Sequence, residues 1–190
     1  MRGAALVLAA GRSQRMGRSK AHLELGQSTF LGTILQRLPT DLWVAVVVGE
    51  KTPLPDGVRG VVNPRPEDGQ LSSLRLGLRA GAAELPFTLV ALVDQPSVAA
   101  LTYQLLAEAA AGGQGDLWVP AHGGKRGHPV VFGRACYEDL LHGPLQEGSR
   151  WVVGRHRSRR VEVEVDDPEI HRDVDTPEDY RRLLQDTGGS

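Results

Sequence analysis

The residues best suited to chemistry lie in separated stretches of the chain. Leu8-Ala9-Ala10-Gly11-Arg12-Ser13-Gln14-Arg15-Met16-Gly17-Arg18-Ser19-Lys20 is a polar segment with two glycines and four cationic side chains, continuous with an apolar run. Small residues let a ligand approach the main chain, free N–H groups cradle phosphate oxygens, and Arg or Lys offsets their charge. Asp94 directly follows the apolar run Phe87-Thr88-Leu89-Val90-Ala91-Leu92-Val93, and Asp175 stands just ahead of Thr176-Pro177-Glu178-Asp179. Both offer hard oxygen ligands of the kind that hold Mg2+. Taken singly, Asp94 also suits a turn ahead of Pro96, and Asp175 suits a position beside a helix cap.

Familiar phosphate loops do not match. Counted from Gly11, a Walker loop needs glycine then lysine where Met16-Gly17 stands, and the dinucleotide fingerprint needs glycine in place of Ser13. His122 and His128 are six apart, which is not the helical spacing of a metal pair. Cys136 is the single cysteine, so a disulfide within the chain and a zinc cage of several of its own thiolates are excluded, and its setting among Ala135 and Tyr137 reads as packing. This points to a reducing, cytoplasmic setting.

Strands and helices must bring these stretches together. Runs at Ala4-Ala10, Trp43-Val48, Gly60-Asn63, Phe87-Val93, Leu117-Pro120, Val130-Phe132 and Val161-Val165 read as strands. The first and fourth lack alternation, as expected of strands covered on both faces. Helices are predicted over Thr29-Leu38, Leu71-Glu84, Ala99-Ala111, Arg134-Leu141 and Pro177-Gln185. Thr176-Pro177-Glu178-Asp179 supplies a hydroxyl cap, proline at the first helical position and acids in the first turn. Alternation of strand and helix predicts an α/β fold: three α/β/α layers around a Rossmann-like, mainly parallel sheet, whose ligands gather beyond the strands' carboxyl ends. Residues 1–185 form one expected domain, with 186–190 as a frayed tail.

The 190 residues balance 22 Lys and Arg against 23 Asp and Glu, so no global charge draws the chain to nucleic acid. Arg155-His156-Arg157-Ser158-Arg159-Arg160 lacks interleaved aromatics and reads as a solvated turn or a basic rim near an anionic substrate. The apolar segment Ala4-Ala10 is too short for a membrane span and lacks a signal-peptide cleavage pattern.

Leu8-Ala9-Ala10-Gly11, then Arg15-Met16-Gly17, then Lys20 resembles the signature loop of the MobA-like nucleotidyltransferases. Gly69-Gln70-Leu71-Ser72-Ser73-Leu74, Asp94-Gln95-Pro96 and Asp173-Val174-Asp175-Thr176-Pro177-Glu178-Asp179-Tyr180 extend the likeness, in order, over nearly the whole chain. Arg126-Gly127-His128-Pro129-Val130 and Ala10 are similar to the branch that cytidylylates molybdopterin. Gln70-Leu71-Ser72-Ser73 departs from the Met-Ser-Thr-Ser form of many members of that branch.

The resemblance implies Mg2+-dependent transfer of a nucleoside monophosphate, CMP from CTP, to a molybdopterin phosphate. It implies Lys20, Arg15 and Asp94 as catalytic residues and Asp94 with Asp175 as metal ligands, in preference to Asp173. It places Leu8, Ala9, Ala10, Gly11, Arg12, Ser13, Lys20, Asn63, Gly69, Ser72 and Ser73 around the nucleotide, and Arg126, Gly127 and His128 toward the acceptor. A molybdoenzyme is the implied recipient of the product. Transfer to another small acceptor, such as a sugar phosphate or a phosphorylated three-carbon acid, with GTP as a possible donor, remains open. So does a role as a molybdopterin carrier without catalysis.

Overall fold

The computed structural model describes residues 2–11, 19–50 and 52–188. Its strands are β1 (Ala4–Ala9), β2 (Glu24–Leu25), β3 (Ser28–Thr29), β4 (Trp43–Gly49), β5 (Gly60–Asn63), β6 (Phe87–Leu92), β7 (Leu117–His122), β8 (Lys125–Arg126), β9 (Val130–Gly133) and β10 (Arg160–Glu164). The helices are α1 (Phe30–Arg37), α2 (Gln70–Arg79), α3 (Ala100–Ala111), α4 (Tyr137–His142), α5 (Gly148–Arg155) and α6 (Pro177–Gly188).

The main sheet runs β10-β7-β9-β6-β1-β4-β5, with β8 hairpinned onto β7. Neighbours pair in parallel except where β9 lies antiparallel between β6 and β7, and in the β7–β8 hairpin. The small β2–β3 hairpin stands apart. The unbroken apolar run of β1 is explained by its two covered faces. Ala5 and Val7 join a core with Phe30 and Ile34 of α1, Tyr103 and Leu106 of α3, and Leu183 of α6. Ala4, Leu6 and Leu8 face the other way, against Leu71, Leu74 and Leu78 of α2, Leu140 of α4 and Val152 of α5. This is the predicted three-layer α/β arrangement. Gly77 lets α2 sit close on β1, because a Cβ there would fall 2.5 Å from the Leu6 side chain. No helix among the described residues is long and apolar enough to cross a membrane.

Several expectations need correction. The helix expected over 71–84 breaks after Arg79, since Gly81 takes a φ of 134°, and a 3-10 turn at Ala82–Glu84 follows. Helix α6 continues to Gly188, past its expected end at Gln185, with Asp186 paired to Arg172 at 2.7 Å and the Thr187 hydroxyl donating to the Leu183 carbonyl at 2.9 Å. Helix α5 was not expected, because two glycines and adjacent valines give it little intrinsic helical preference. Its helicity comes from tertiary packing, as fully buried Val152 anchors it to the core.

The basic run after α5 is an ion-paired clasp and not merely a solvated turn. Arg155 meets Asp139 at 3.0 Å and Arg159 meets Asp116 at 3.1 Å. His156 sets its Nε2 2.9 Å from Asp139 and its Nδ1 3.4 Å from Asp116, so both ring nitrogens donate only when the ring is protonated. Burial disfavours charge on Asp116 and Asp139, yet hydrogen bonds from the arginines and His156 outweigh it and hold both pKa values below the ordinary carboxylate value. Their stabilising contribution is therefore complete above the unfolded aspartate value of about 3.9 and is lost as pH falls through the lower folded values. His156→Ala should cost about 1–2 kcal/mol at neutral pH, read as a Tm lowered by roughly 2–6 °C. The gap to the parent protein should narrow on titration below pH ~4, and calorimetry across pH checks both points.

Candidate active site

The carboxyl edge of the parallel strands carries the expected cluster. Lys20 opens a short 3-10 turn, Asp94 lies two residues beyond β6, and Asp175 lies two residues before α6. The Lys20 ammonium is 2.5 Å from Asp175 Oδ1 and 3.4 Å from Asp94 Oδ2. Two carboxylates separated by 81 residues thus share one cation, and their oxygens lie no farther apart than those two contacts together allow. Lys20 is 8% exposed, so this pairing is screened little by water.

Local bonds explain the convergence. The Val174 N–H donates to the Asp94 carbonyl at 2.8 Å, tying the segment before α6 to the end of β6. Asp179 Oδ2 accepts from the N–H groups of Asp175 and Thr176 at 3.2 and 2.9 Å and from the Thr176 hydroxyl at 2.7 Å, while the Asp179 N–H returns to Thr176 Oγ1 at 3.2 Å. This reciprocal cap fixes the chain at Asp175 and holds the Asp179 carboxyl below the usual range. Beside it, Gln95 Nε2 donates to Asp173 Oδ1 at 2.7 Å, which engages Asp173 from the protein side.

Asp94 has the properties of a ligand to a hard cation. Burial pushes its pKa up, Lys20 opposes that rise, and the charges of Asp173 and Asp175 add to it. Its Oδ1 is buried without a hydrogen-bond partner. A divalent ion would satisfy that orphaned oxygen and offset the carboxylate charge left over by a single ammonium. Among the described residues no group of three or more His, Cys, Asp or Glu forms a cage, so the protein supplies an incomplete shell. That donor set suits an ion that keeps water and shares substrate oxygens.

The expected nucleotide contacts divide. Arg12, Ser13 and Arg15 lie outside the described residues. Leu8 packs its side chain into the core, and its carbonyl accepts from the Val93 N–H at 3.2 Å. Ala9 ends β1, and Ala10 and exposed Gly11 lead off the sheet edge. Asn63, expected beside the nucleotide, braces the end of β5 against the start of α2. It is 1% exposed, its amide donates to Ser72 and Ser73 hydroxyls at 2.9 Å each, and its Oδ1 accepts from the Arg65 N–H at 2.9 Å. Ser73 is buried with it, whereas Ser72 is partly open and donates to the Gly69 carbonyl at 2.8 Å. Gly69 takes a φ of 88°, a conformation that favours glycine at the start of α2.

The segment expected to face the acceptor lies partly in a turn and partly along a cavity. Gly123 and Gly124 make the β7–β8 hairpin turn, while Arg126, Gly127 and His128 line a cavity of about 260 Å³. Gly127 is required because a Cβ would fall 2.2 Å from the Ile170 carbonyl oxygen. Burial pushes the His128 pKa down, against the opposing charges of Asp173 and Asp94. The His128 N–H donates to the Ile170 carbonyl at 3.0 Å, which also accepts from Gln95, the neighbour of Asp94, at 3.5 Å. The same cavity is lined by Gln70, Ser149, Arg150 and Arg160, which sequence reasoning did not assign to it. The basic run that ends in Arg160 was the one available signal. Cys136 is buried, donates to the Asp116 carbonyl at 3.1 Å and has its pKa pushed up to about 12, in keeping with a packing role.

A family model for the MobA-like NTP transferase domain matches residues 5–161. The chain belongs to this family. The molybdenum cofactor cytidylyltransferase of Escherichia coli strain K12 is 27% identical over 185 residues, covering 92% of each chain. The crystal structure of Rv0371c from Mycobacterium tuberculosis H37Rv is 30% identical with a TM-score of 0.79, over 97% of this chain and 100% of that one. A manganese complex of Rv0371c is 27% identical with a TM-score of 0.76, over 97% and 99% of the two chains. The chain is thus a member of a nucleotidyltransferase family, with the fold of that family along nearly its whole length.

The cluster predicts opposite responses to two substitutions. Asp94→Asn should weaken Mn2+ binding about tenfold or more, since it removes a charged oxygen ligand. Lys20→Met should leave Mn2+ binding equal or tighter, since it removes a competing cation. Paramagnetic titration of free Mn2+ in the absence of nucleotide reads both.

Proposed function

We propose that this protein transfers CMP from CTP to the phosphate of a molybdopterin-type acceptor, releasing pyrophosphate, with Mg2+ as the divalent ion. The observation that carries the reading is the Lys20 ammonium shared between Asp94 and Asp175 at the sheet edge, alongside a cavity lined by His128 and arginines. The likeness to the Escherichia coli cytidylyltransferase favours cytosine and the molybdenum cofactor. The manganese complex of Rv0371c favours a divalent ion.

An oxygen of the acceptor phosphate forms a bond to the α-phosphorus of the nucleotide. The bond from that phosphorus to the oxygen bridging toward the β-phosphate breaks, and its electron pair leaves with pyrophosphate. A phosphate monoester, with a second pKa near 6, is largely dianionic at neutral pH, so no protein base is needed to create the nucleophile. The obstacle is repulsion between anions, and the residues address it. Lys20 neutralises charge on the triphosphate. Ala9, Ala10, Gly11, Gly69 and Ser72 border the nucleotide, the first three through their main chain, with Arg12, Ser13 and Arg15 assigned to its phosphates by the family pattern. Arg126, Gly127 and His128 orient the acceptor phosphate. Asp94 and Asp175 would hold Mg2+, which supplies electrostatic stabilisation of the charge that moves onto the departing oxygen. The product would pass to a molybdoenzyme.

Pyrophosphate release should be fastest with CTP and molybdopterin, slower with GTP or ATP, and slower with sugar phosphates or phosphorylated three-carbon acids. Lys20→Ala and Asp94→Asn should each lower kcat by about 100-fold or more. Wild-type turnover in both variants overturns the residue roles. Tight molybdopterin binding without pyrophosphate from any nucleoside triphosphate would identify a carrier.

A further inference from the structure

Two histidines outside the lysine–aspartate cluster meet at the surface. His122 ends β7 and His171 ends the 3-10 turn Pro168–His171, and their ring centres are 6.4 Å apart with the planes at 53°. Sequence spacing conceals the pair, because His122 finds its neighbour in a distant turn and not in nearby His128.

A main-chain carbonyl holds each ring. His122 Nδ1 lies 3.0 Å from the Val165 carbonyl oxygen, and His171 Nε2 lies 3.0 Å from that of Lys125. A carbonyl oxygen only accepts, so each of these nitrogens carries a proton. In the neutral rings, Nε2 of His122 and Nδ1 of His171 are then left with lone pairs. Neither has a hydrogen-bond partner among the described residues. Histidines that ligate metals are oriented in this way, by a bond from the far ring nitrogen to a carbonyl or carboxylate. An imidazole nitrogen binds zinc at about 2.1 Å and lies about 1.2 Å from its ring centre, so two rings on one tetrahedral ion have centres roughly 5.4 Å apart. The observed separation exceeds that by about 1 Å, which side-chain rotation at the surface closes, since His122 is one-third exposed and His171 is exposed. Fully exposed Asp166, with Oδ1 3.9 Å from His122 Nδ1, adds negative charge beside the pair.

We propose that His122 Nε2 and His171 Nδ1 bind one divalent ion of the zinc class, with water completing its shell, at a site separate from Asp94 and Asp175. Imidazole nitrogens suit such borderline ions, whereas the carboxylate pair suits Mg2+. The ion joins the end of β7 to the turn 168–171. In that turn the Ile170 carbonyl accepts the His128 N–H at 3.0 Å, and Lys125, whose carbonyl holds His171, belongs to β8. A bound ion therefore braces the β7–β8 hairpin against the segment that leads to Asp175.

Calorimetric titration of the untagged chain with Zn2+ at pH about 8, above the ordinary imidazole range, tests the site. An Asp94→Asn background keeps the carboxylate pair from competing. One Zn2+ site is expected, weakened about tenfold or more by His122→Gln or His171→Gln and unchanged within about twofold by His142→Gln, at an exposed histidine elsewhere. Cu2+ in place of zinc should give an EPR spectrum with nitrogen hyperfine splitting that either variant diminishes. Zinc should slow amide exchange at His128 about threefold or more in the background protein and not in the two variants. If His122→Gln lowers stability without metal, exposed His171 decides the matter alone. No stoichiometric zinc site, equal affinity in His171→Gln, or an EPR spectrum of oxygen ligands only overturns the proposal. Unchanged exchange at His128 with zinc bound overturns the brace.

Discussion

The charge balance around one lysine governs this site. Lys20 is nearly buried, yet it touches carboxylates from two distant parts of the chain. Bringing Asp94 and Asp175 together would be unfavourable without a cation, because burial and mutual repulsion both oppose ionisation of Asp94. The ammonium permits their approach but leaves negative charge over, and this residue of charge makes the site receptive to a divalent ion. In the proposed reaction the same arrangement would meet polyanionic substrates, whose repulsion a metal and a lysine would jointly reduce.

Backbone architecture makes that balance possible. Parallel strands deliver Ala10, Asn63 and Asp94 to one edge of the sheet. The Asp94 carbonyl holds Val174, and the cap formed by Thr176 and Asp179 fixes the direction in which the chain enters α6. Asp175 is thus positioned through main-chain N–H groups of its own segment, held by the Asp94 carbonyl and the Asp179 carboxylate. Asn63 acts similarly at the other end, where its buried amide joins the end of β5 to the first turn of α2.

Much of this was legible in the sequence, for identifiable reasons. Strands covered on both faces leave continuous apolar runs, so β1 and β6 were visible along with the residues emerging from them. The Thr176-Pro177-Glu178-Asp179 cap carries its own local signal. Helix α5 carried none, because its stability comes from Val152 packing and from the clasp around His156, both set by contacts across the chain. The surroundings of Asn63, Arg150 and Arg160 were hidden for the same reason: whether a polar side chain braces a turn, pairs at the surface or faces a cavity depends on neighbours distant in sequence. Asn63 stands at a strand end in both descriptions, and only burial reveals its use.

The reversed direction of β9 has an evolutionary consequence. Because that strand enters the sheet at the edge where β6 leaves, His128, just ahead of β9, comes to the same edge of the sheet as Asp94 from a separate part of the chain. Insertions or exchanges between β7 and β9 can reshape one half of the cleft without disturbing the other. On the proposed assignment, a lineage could thereby change what receives the nucleotide while preserving the apparatus that holds it.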